Sequence, residues 1–147
     1  MTRTTAALLV SLAFTAPARA IDYTSFHTPA QIDAELTGLA AANPSLAQIF
    51  TYGTSVEGRS LRGIKISDNV ASEETESEAL VVGCHHAREL MSVELPLHLM
   101  RRLLDGYGVD PLLTSLVGSR EIWIVPIVNP DGHVYVQDNS GGQSGSW

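Results

Sequence analysis

Residues 79–90 read Ala79-Leu80-Val81-Val82-Gly83-Cys84-His85-His86-Ala87-Arg88-Glu89-Leu90. Four uninterrupted apolar residues suit a central strand buried on both faces. Gly83 opens a turn. From Ser92 onward, Val93, Leu97, Met100 and Leu104 recur at helical spacing. Leu95, Leu99 and Leu103 widen that stripe, which predicts a well-buried helix over residues 92–104 with Pro96 tolerated near its first turn. Strand followed by helix is the unit of an α/β sheet, and ligands of open α/β sheets bind at the carboxyl ends of strands. The connecting turn carries a thiol, two imidazoles, a guanidinium and a carboxylate within residues 84–89.

Zinc takes imidazole nitrogen and carboxylate oxygen, and catalytic sites commonly use two His and one Glu with water in the fourth place. His86 and Glu89 are three apart, so one turn aims both at one ion. His85 leaves an extended chain on the opposite side from His86, yet His85 with Glu89, four apart, stays open as a helical pair. Arg88 points away from both and is available to an anionic group. An H-x-x-E pair alone is a weak signal, because such spacings arise by chance. Cys84 reads as a small buried core residue. His27, His98 and His133 have no partner at ligand spacing. His98 reads as a satisfied structural histidine within the apolar helix, and His133 as a surface residue after a turn. Glu57 and Arg59 read as a solvated turn pair of little energetic weight.

Outward from this centre, Thr28-Pro29-Ala30-Gln31 is a capping box with proline at the first helical position, and Ile32, Leu36 and Leu39 predict a helix to about Ala42. Residues 47–52 and 61–67 read as paired strands joined by the turn Ser55-Val56-Glu57-Gly58-Arg59. Residues 68–78 are polar and acidic and read as a solvated loop. Asp110-Pro111 starts a further helix and Gly118 stops it. Residues 121–128 form an apolar strand, Asn129-Pro130-Asp131-Gly132 a turn, and residues 137–147 a Gly/Ser-rich loop. The fold class is α/β: a mixed, mostly parallel sheet flanked by helices.

Residues 1–20 pair Arg3 with an apolar stretch from Ala6 to Phe14 and end on Ala18-Arg19-Ala20. That three-part pattern predicts a signal peptide cleaved after Ala20, leaving residues 21–147 as one secreted, extracellular or periplasmic domain. No later segment is apolar for long enough to span a bilayer, so no membrane attachment is expected after cleavage. The 147 residues are 44% apolar and 17% charged, which excludes a disordered chain or a coiled coil. Nine basic residues against sixteen acidic ones give a net charge of −7 without a basic cluster, which speaks against nucleic acid as a partner. The single cysteine excludes an internal disulfide framework and an all-cysteine zinc site.

Four motifs, in order, resemble the zinc carboxypeptidases of the A/B/T family. They are Ser55-Val56-Glu57-Gly58-Arg59-Ser60-Leu61 with Lys65-Ile66-Ser67; Gly83-Cys84-His85-His86-Ala87-Arg88-Glu89; Val128-Asn129-Pro130-Asp131-Gly132; and Trp147 after a Gly/Ser loop. The second is the most specific, since the family's metal signature is His-(Ser/Ala)-Arg-Glu after an apolar strand. The resemblance covers residues 21–147 and is to the N-terminal portion of the family's catalytic domain, with no activation pro-domain before it. It implies one Zn2+ with His86 and Glu89 as its first two ligands. It implies that Arg88 helps bind the substrate carbonyl and terminal region, and that peptide or protein C-termini are the substrate. The family's third ligand (a histidine), oxyanion arginine, carboxylate-gripping Asn-Arg pair, capping tyrosine and glutamate base match nothing here. The expectation is therefore a C-terminally truncated, inactive and aggregation-prone chain. Two rival readings keep the scaffold: an amidase or deacylase acting on cell-wall peptides or N-acyl amino acids, and a non-catalytic secreted relative that binds peptides. A structural domain without metal is a third.

Overall fold

The computed structural model describes residues 26–140, so the expectations for residues 1–20 and for Trp147 lie outside the described residues. The order of elements is α1 (Pro29–Ala42), β1 (Ala47–Thr54), β2 (Ser60–Ile66), β3 (Ser77–Val82), α2 (Met91–Gly106), α3 (Pro111–Val117), β4 (Arg120–Val125) and α4 (Pro130–Ser140). The capping box of α1 is complete: the Gln31 backbone N–H donates to Thr28 Oγ1 at 3.3 Å, and the Thr28 N–H donates to Gln31 Oε1 at 2.8 Å. Asp110 caps α3 by accepting from the N–H groups of Leu112 and Leu113. Both caps satisfy donors that the first helical turn leaves without partners.

The sheet order is β1-β2-β4-β3. β1 and β2 form the expected antiparallel hairpin, β2 pairs antiparallel with β4, and β3 pairs parallel with β4. The sheet is mixed, as the sequence predicts. Among the described residues, however, parallel pairing is confined to β3–β4, because β4 runs against a strand that is itself one arm of a hairpin. The core joins Ile64 and Ile66 of β2 and Ile122 and Ile124 of β4 to Val93, Leu97, Met100 and Leu104 of α2. Ile32 and Leu36 of α1 and Val117 of α3 close it.

Four readings need correction. β3 is an edge of the described sheet rather than a central strand: Leu80 is 67% exposed and Val82 38%. An apolar run reports affinity for a core, not the number of neighbouring strands. In α2, Leu95 and His98 face outward, and His98 is exposed. The buried stripe is narrower than seven apolar residues suggest.

Asn129-Pro130-Asp131-Gly132 starts α4 instead of making a plain turn, and α4 runs through residues 137–140 of the expected loop. Asn129 Oδ1 accepts from the Gly132 N–H at 3.0 Å, and proline occupies the first helical position. Turn and helix start use the same residue types, since each needs a side-chain acceptor and a fixed φ. The fourth correction concerns residues 68–78, which are not simply solvated. Val70 is buried, Glu74 and Glu76 are half-buried, and the loop lies over a buried Lys65–Glu121 ion pair with a separation of 2.8 Å.

Candidate metal centre

β3 ends at Val82, and three hydrogen bonds fix the residues after it. Gly83 donates to Val125 O at 2.9 Å, Val128 donates back to Gly83 O at 3.1 Å, and Asn129 donates to Cys84 O at 3.2 Å. These bonds continue the β3–β4 pairing past its formal end and hold the start of α4 against residues 83–85. Gly83 is required for packing: an added Cβ would lie 2.2 Å from Ser92 O and 2.7 Å from Pro126 O, both backbone atoms. Cys84 then turns the chain with φ of 51°, in the left-handed region that a residue with a Cβ occupies at a cost of about 1–3 kcal/mol. Its side chain is fully buried, and burial, then the charge of Glu89, pushes the thiol up to about 11. A thiol so raised is protonated at neutral pH and is no nucleophile, in keeping with a core role.

Residues 85–89 form a bend and turn, not a helix. The Glu89 N–H donates to His86 O at 3.1 Å, which brings the two side chains to one side. His86 Nδ1 lies 2.9 Å from Glu89 Oε1, with about half of each side chain exposed. The hydrogen bond from His86 holds the Glu89 carboxyl below the usual carboxylate range, against the opposing effect of burial. The exposed His85 is held through its backbone, its carbonyl accepting from Asn129 Nδ2 at 3.2 Å. The turn thus brings Glu89 to His86 rather than His85. Arg88 is exposed beside the pair.

Ser92, to which the sequence reading gave no role, supports this turn. Its hydroxyl accepts from the Cys84 N–H at 2.9 Å and donates to Glu89 O at 2.5 Å. A hydroxyl-bearing residue in the first turn of a helix was the available sign. Arg59 is also more than a solvated turn residue. It bonds Asp131 as well as Glu57, and Asp131 further accepts from the Ser55 hydroxyl and the Glu57 N–H. The hairpin turn is thereby tied to the first turn of α4. His27 is bound through its N–H and Nδ1 to the buried Glu94 of α2 at 2.8 and 2.7 Å. His133, read as a surface residue, is fully buried in α4, because the segment after Asn129 coils into a helix packed against Ala87 and Leu90.

The donor set suits zinc. Two ligands at about 2.0–2.2 Å from a tetrahedral ion stand about 3.3–3.5 Å apart, so a pair at 2.9 Å need open only slightly to share one. No third His, Cys, Asp or Glu closes on this pair among the described residues.

The family description "Zinc carboxypeptidase" matches residues 32–146. The chain belongs to the zinc carboxypeptidase family. A zinc carboxypeptidase of Saccharothrix mutabilis subsp. capreolus is 41% identical over 125 residues, covering 85% of this chain and 28% of that protein. Carboxypeptidase A2 of Rattus norvegicus is 31% identical over 116 residues, covering 79% of the chain and 27% of the relative. Among solved structures, carboxypeptidase A of Helicoverpa armigera superposes with a TM-score of 0.68 at 26% identity, over 76% of this chain and 26% of that one. This zinc carboxypeptidase chain therefore spans little more than a quarter of the length of these relatives. No described helix is long and apolar enough to cross a membrane.

Proposed function

We propose that this chain is the metal-holding N-terminal portion of a secreted zinc carboxypeptidase that removes C-terminal residues from peptides and proteins. The observation that carries the reading is the approach of His86 Nδ1 to Glu89 Oε1, on a turn where a parallel strand hands over to a helix. In this reading His86 and Glu89 would hold one zinc ion. A bound zinc ion supplies Lewis-acid polarisation of a carbonyl and a water acidified toward neutral pH. Glu89 offers a carboxylate, ionised at neutral pH, as an anionic donor. Arg88, exposed beside the pair, offers its guanidinium to the substrate carbonyl and terminal region. Ser92 and Asn129 position the turn and need touch neither metal nor substrate. Secretion is proposed on the charged, apolar and small-residue pattern of residues 1–20.

The chain alone is expected to leave peptides intact. Losing a general base or an oxyanion donor typically costs at least about 100-fold in rate, and neither role falls to a described residue. The test joins this chain to the C-terminal part of the Saccharothrix relative and supplies zinc. Release of the last residue from a peptide with a free carboxylate, abolished by His86→Ala and by Glu89→Gln, is the expected result. Hydrolysis that survives both substitutions would overturn the ligand assignment. Equal hydrolysis of the amidated peptide or of an N-acyl amino acid would favour the amidase or deacylase reading.

A further inference from the structure

Three segments far apart in sequence meet at the start of α4: the hairpin turn 55–59, the ligand turn 83–89 and residues 129–132. On the hairpin side, Asp131 accepts from the Ser55 hydroxyl at 2.7 Å, from the Glu57 N–H at 3.1 Å and from the Arg59 guanidinium. Burial alone would raise the Asp131 carboxyl. The bonds from Ser55, Arg59 and Glu57 outweigh burial and hold it below the usual carboxylate range. The resulting anion also stands in the first turn of α4, where the helix dipole favours negative charge.

On the opposite side, Asn129 donates its backbone N–H to Cys84 O and its Nδ2 to His85 O, each at 3.2 Å. Between the two sides, Gly132 lies against Ala87, the residue flanked by His86 and Arg88. A Cβ added at Gly132 would come within 2.9 Å of the Ala87 Cβ and 2.7 Å of Asn129 Nδ2. Asn129 Oδ1 accepts from the Gly132 N–H at 3.0 Å, so both contacts with the ligand turn belong to one hydrogen-bonded unit. Contacts packed this closely transmit a displacement rather than absorb it.

We propose that Asp131 is a positioning residue for the ligand turn: by anchoring the first turn of α4 to the hairpin turn, it sets, through Asn129 and Gly132, the approach of His86 to Glu89. Asp131 acts through these contacts and not on the ion. Groups behind the ligands commonly orient them and tune the affinity of a metal site. The consequence for zinc rests on the reading of His86 and Glu89 as ligands; the link from Asp131 to residues 84–87 does not. A purely structural tie would stabilise the whole chain and leave the ligand turn no looser than the core when cut.

Two measurements on the full 147-residue chain separate these roles. Amide hydrogen exchange of the metal-free chain reads the turn, and chelator-competition titration reads its zinc affinity. Asp131→Asn keeps an acceptor for Ser55 and removes the charge that holds Arg59. Exchange at the Cys84 and Asn129 amides should accelerate at least about tenfold beyond any change at the buried Ile64 and Leu97. Zinc affinity should fall about tenfold, the low end for groups behind metal ligands. Should Asp131→Asn not fold, Ser55→Ala removes one of the same bonds, and Ser55→Thr, which restores the hydroxyl, should recover the parent values. Asp68→Asn, exposed in the loop between β2 and β3, should change neither reading. Exchange that rises uniformly, or zinc bound equally by parent and variants, would overturn the proposal and leave the zinc reading standing. A parent that takes up no zinc would instead strike the zinc reading, and accelerated exchange confined to Cys84 and Asn129 would still support the positioning of the turn.

Discussion

His133 shows how far one side chain's setting can depart from its neighbourhood in sequence. It follows a proline and a glycine, the company of surface residues, yet it is fully buried and neither ring nitrogen has a hydrogen-bond partner among the described residues. Burial pushes its imidazole down from 6.5 to about 4. Between those values the unfolded chain takes up a proton that the native chain refuses. Stability is therefore complete above about pH 6.5 and falls as the pH drops toward 4, by at most about 3 kcal/mol. Urea unfolding at pH 7 and at pH 4.5 should show this loss. His133→Leu should reduce the loss, and an unchanged pH slope in the variant would exclude His133 as its source. Cys84 was easier to read: a lone thiol after an apolar strand is usually core, and it is.

Among the elements, those whose boundaries rest on local chemistry were legible. The capping box of α1, the Asp110-Pro111 start of α3 and the β1–β2 hairpin depend on residues within a few positions of one another. The His86–Glu89 approach was legible for the same reason, since three residues of turn decide it. Features that depend on distant partners were not. The sequence of β3 contains nothing that says only one of its edges is paired among the described residues. The Arg59–Asp131 and Lys65–Glu121 contacts span 72 and 56 residues. α4 was missed because Asn-Pro-Asp-Gly serves a turn as well as a helix start, and distant contacts such as the packing of Val136 with Ala87 and Leu90 favour the helix. Gly83 links β3 to α2, and its role gives a prediction at this scale. Gly83→Ala forces a methyl into the backbone of Ser92 and Pro126 and should destabilise the chain by about 1–3 kcal/mol or more, read as a lowered urea midpoint. A variant as stable as the parent would show that the α2 start can retreat.

On the scale of the whole molecule, one face of the sheet is covered by helices and another stretch is open. Phe50, Tyr52, Leu80, Val82 and Trp123 line an apolar groove of about 450 Å³, beside the outer edge of β3. Open apolar surface next to a strand edge that no described residue pairs promotes self-association. Leu80→Lys, at a position 67% exposed, should lower light scattering at a given concentration without lowering the unfolding midpoint. Scattering equal to that of the parent would place the association elsewhere. The central proposal rests on one feature, the turn that brings His86 to Glu89. Chelator-competition titration of zinc into the 147-residue chain tests that feature most directly. One zinc per chain is expected, weakened at least about tenfold by His86→Ala and by Glu89→Gln and unaffected by Asp68→Asn. Zinc binding indifferent to His86 and Glu89, or lost with Asp68, would contradict it.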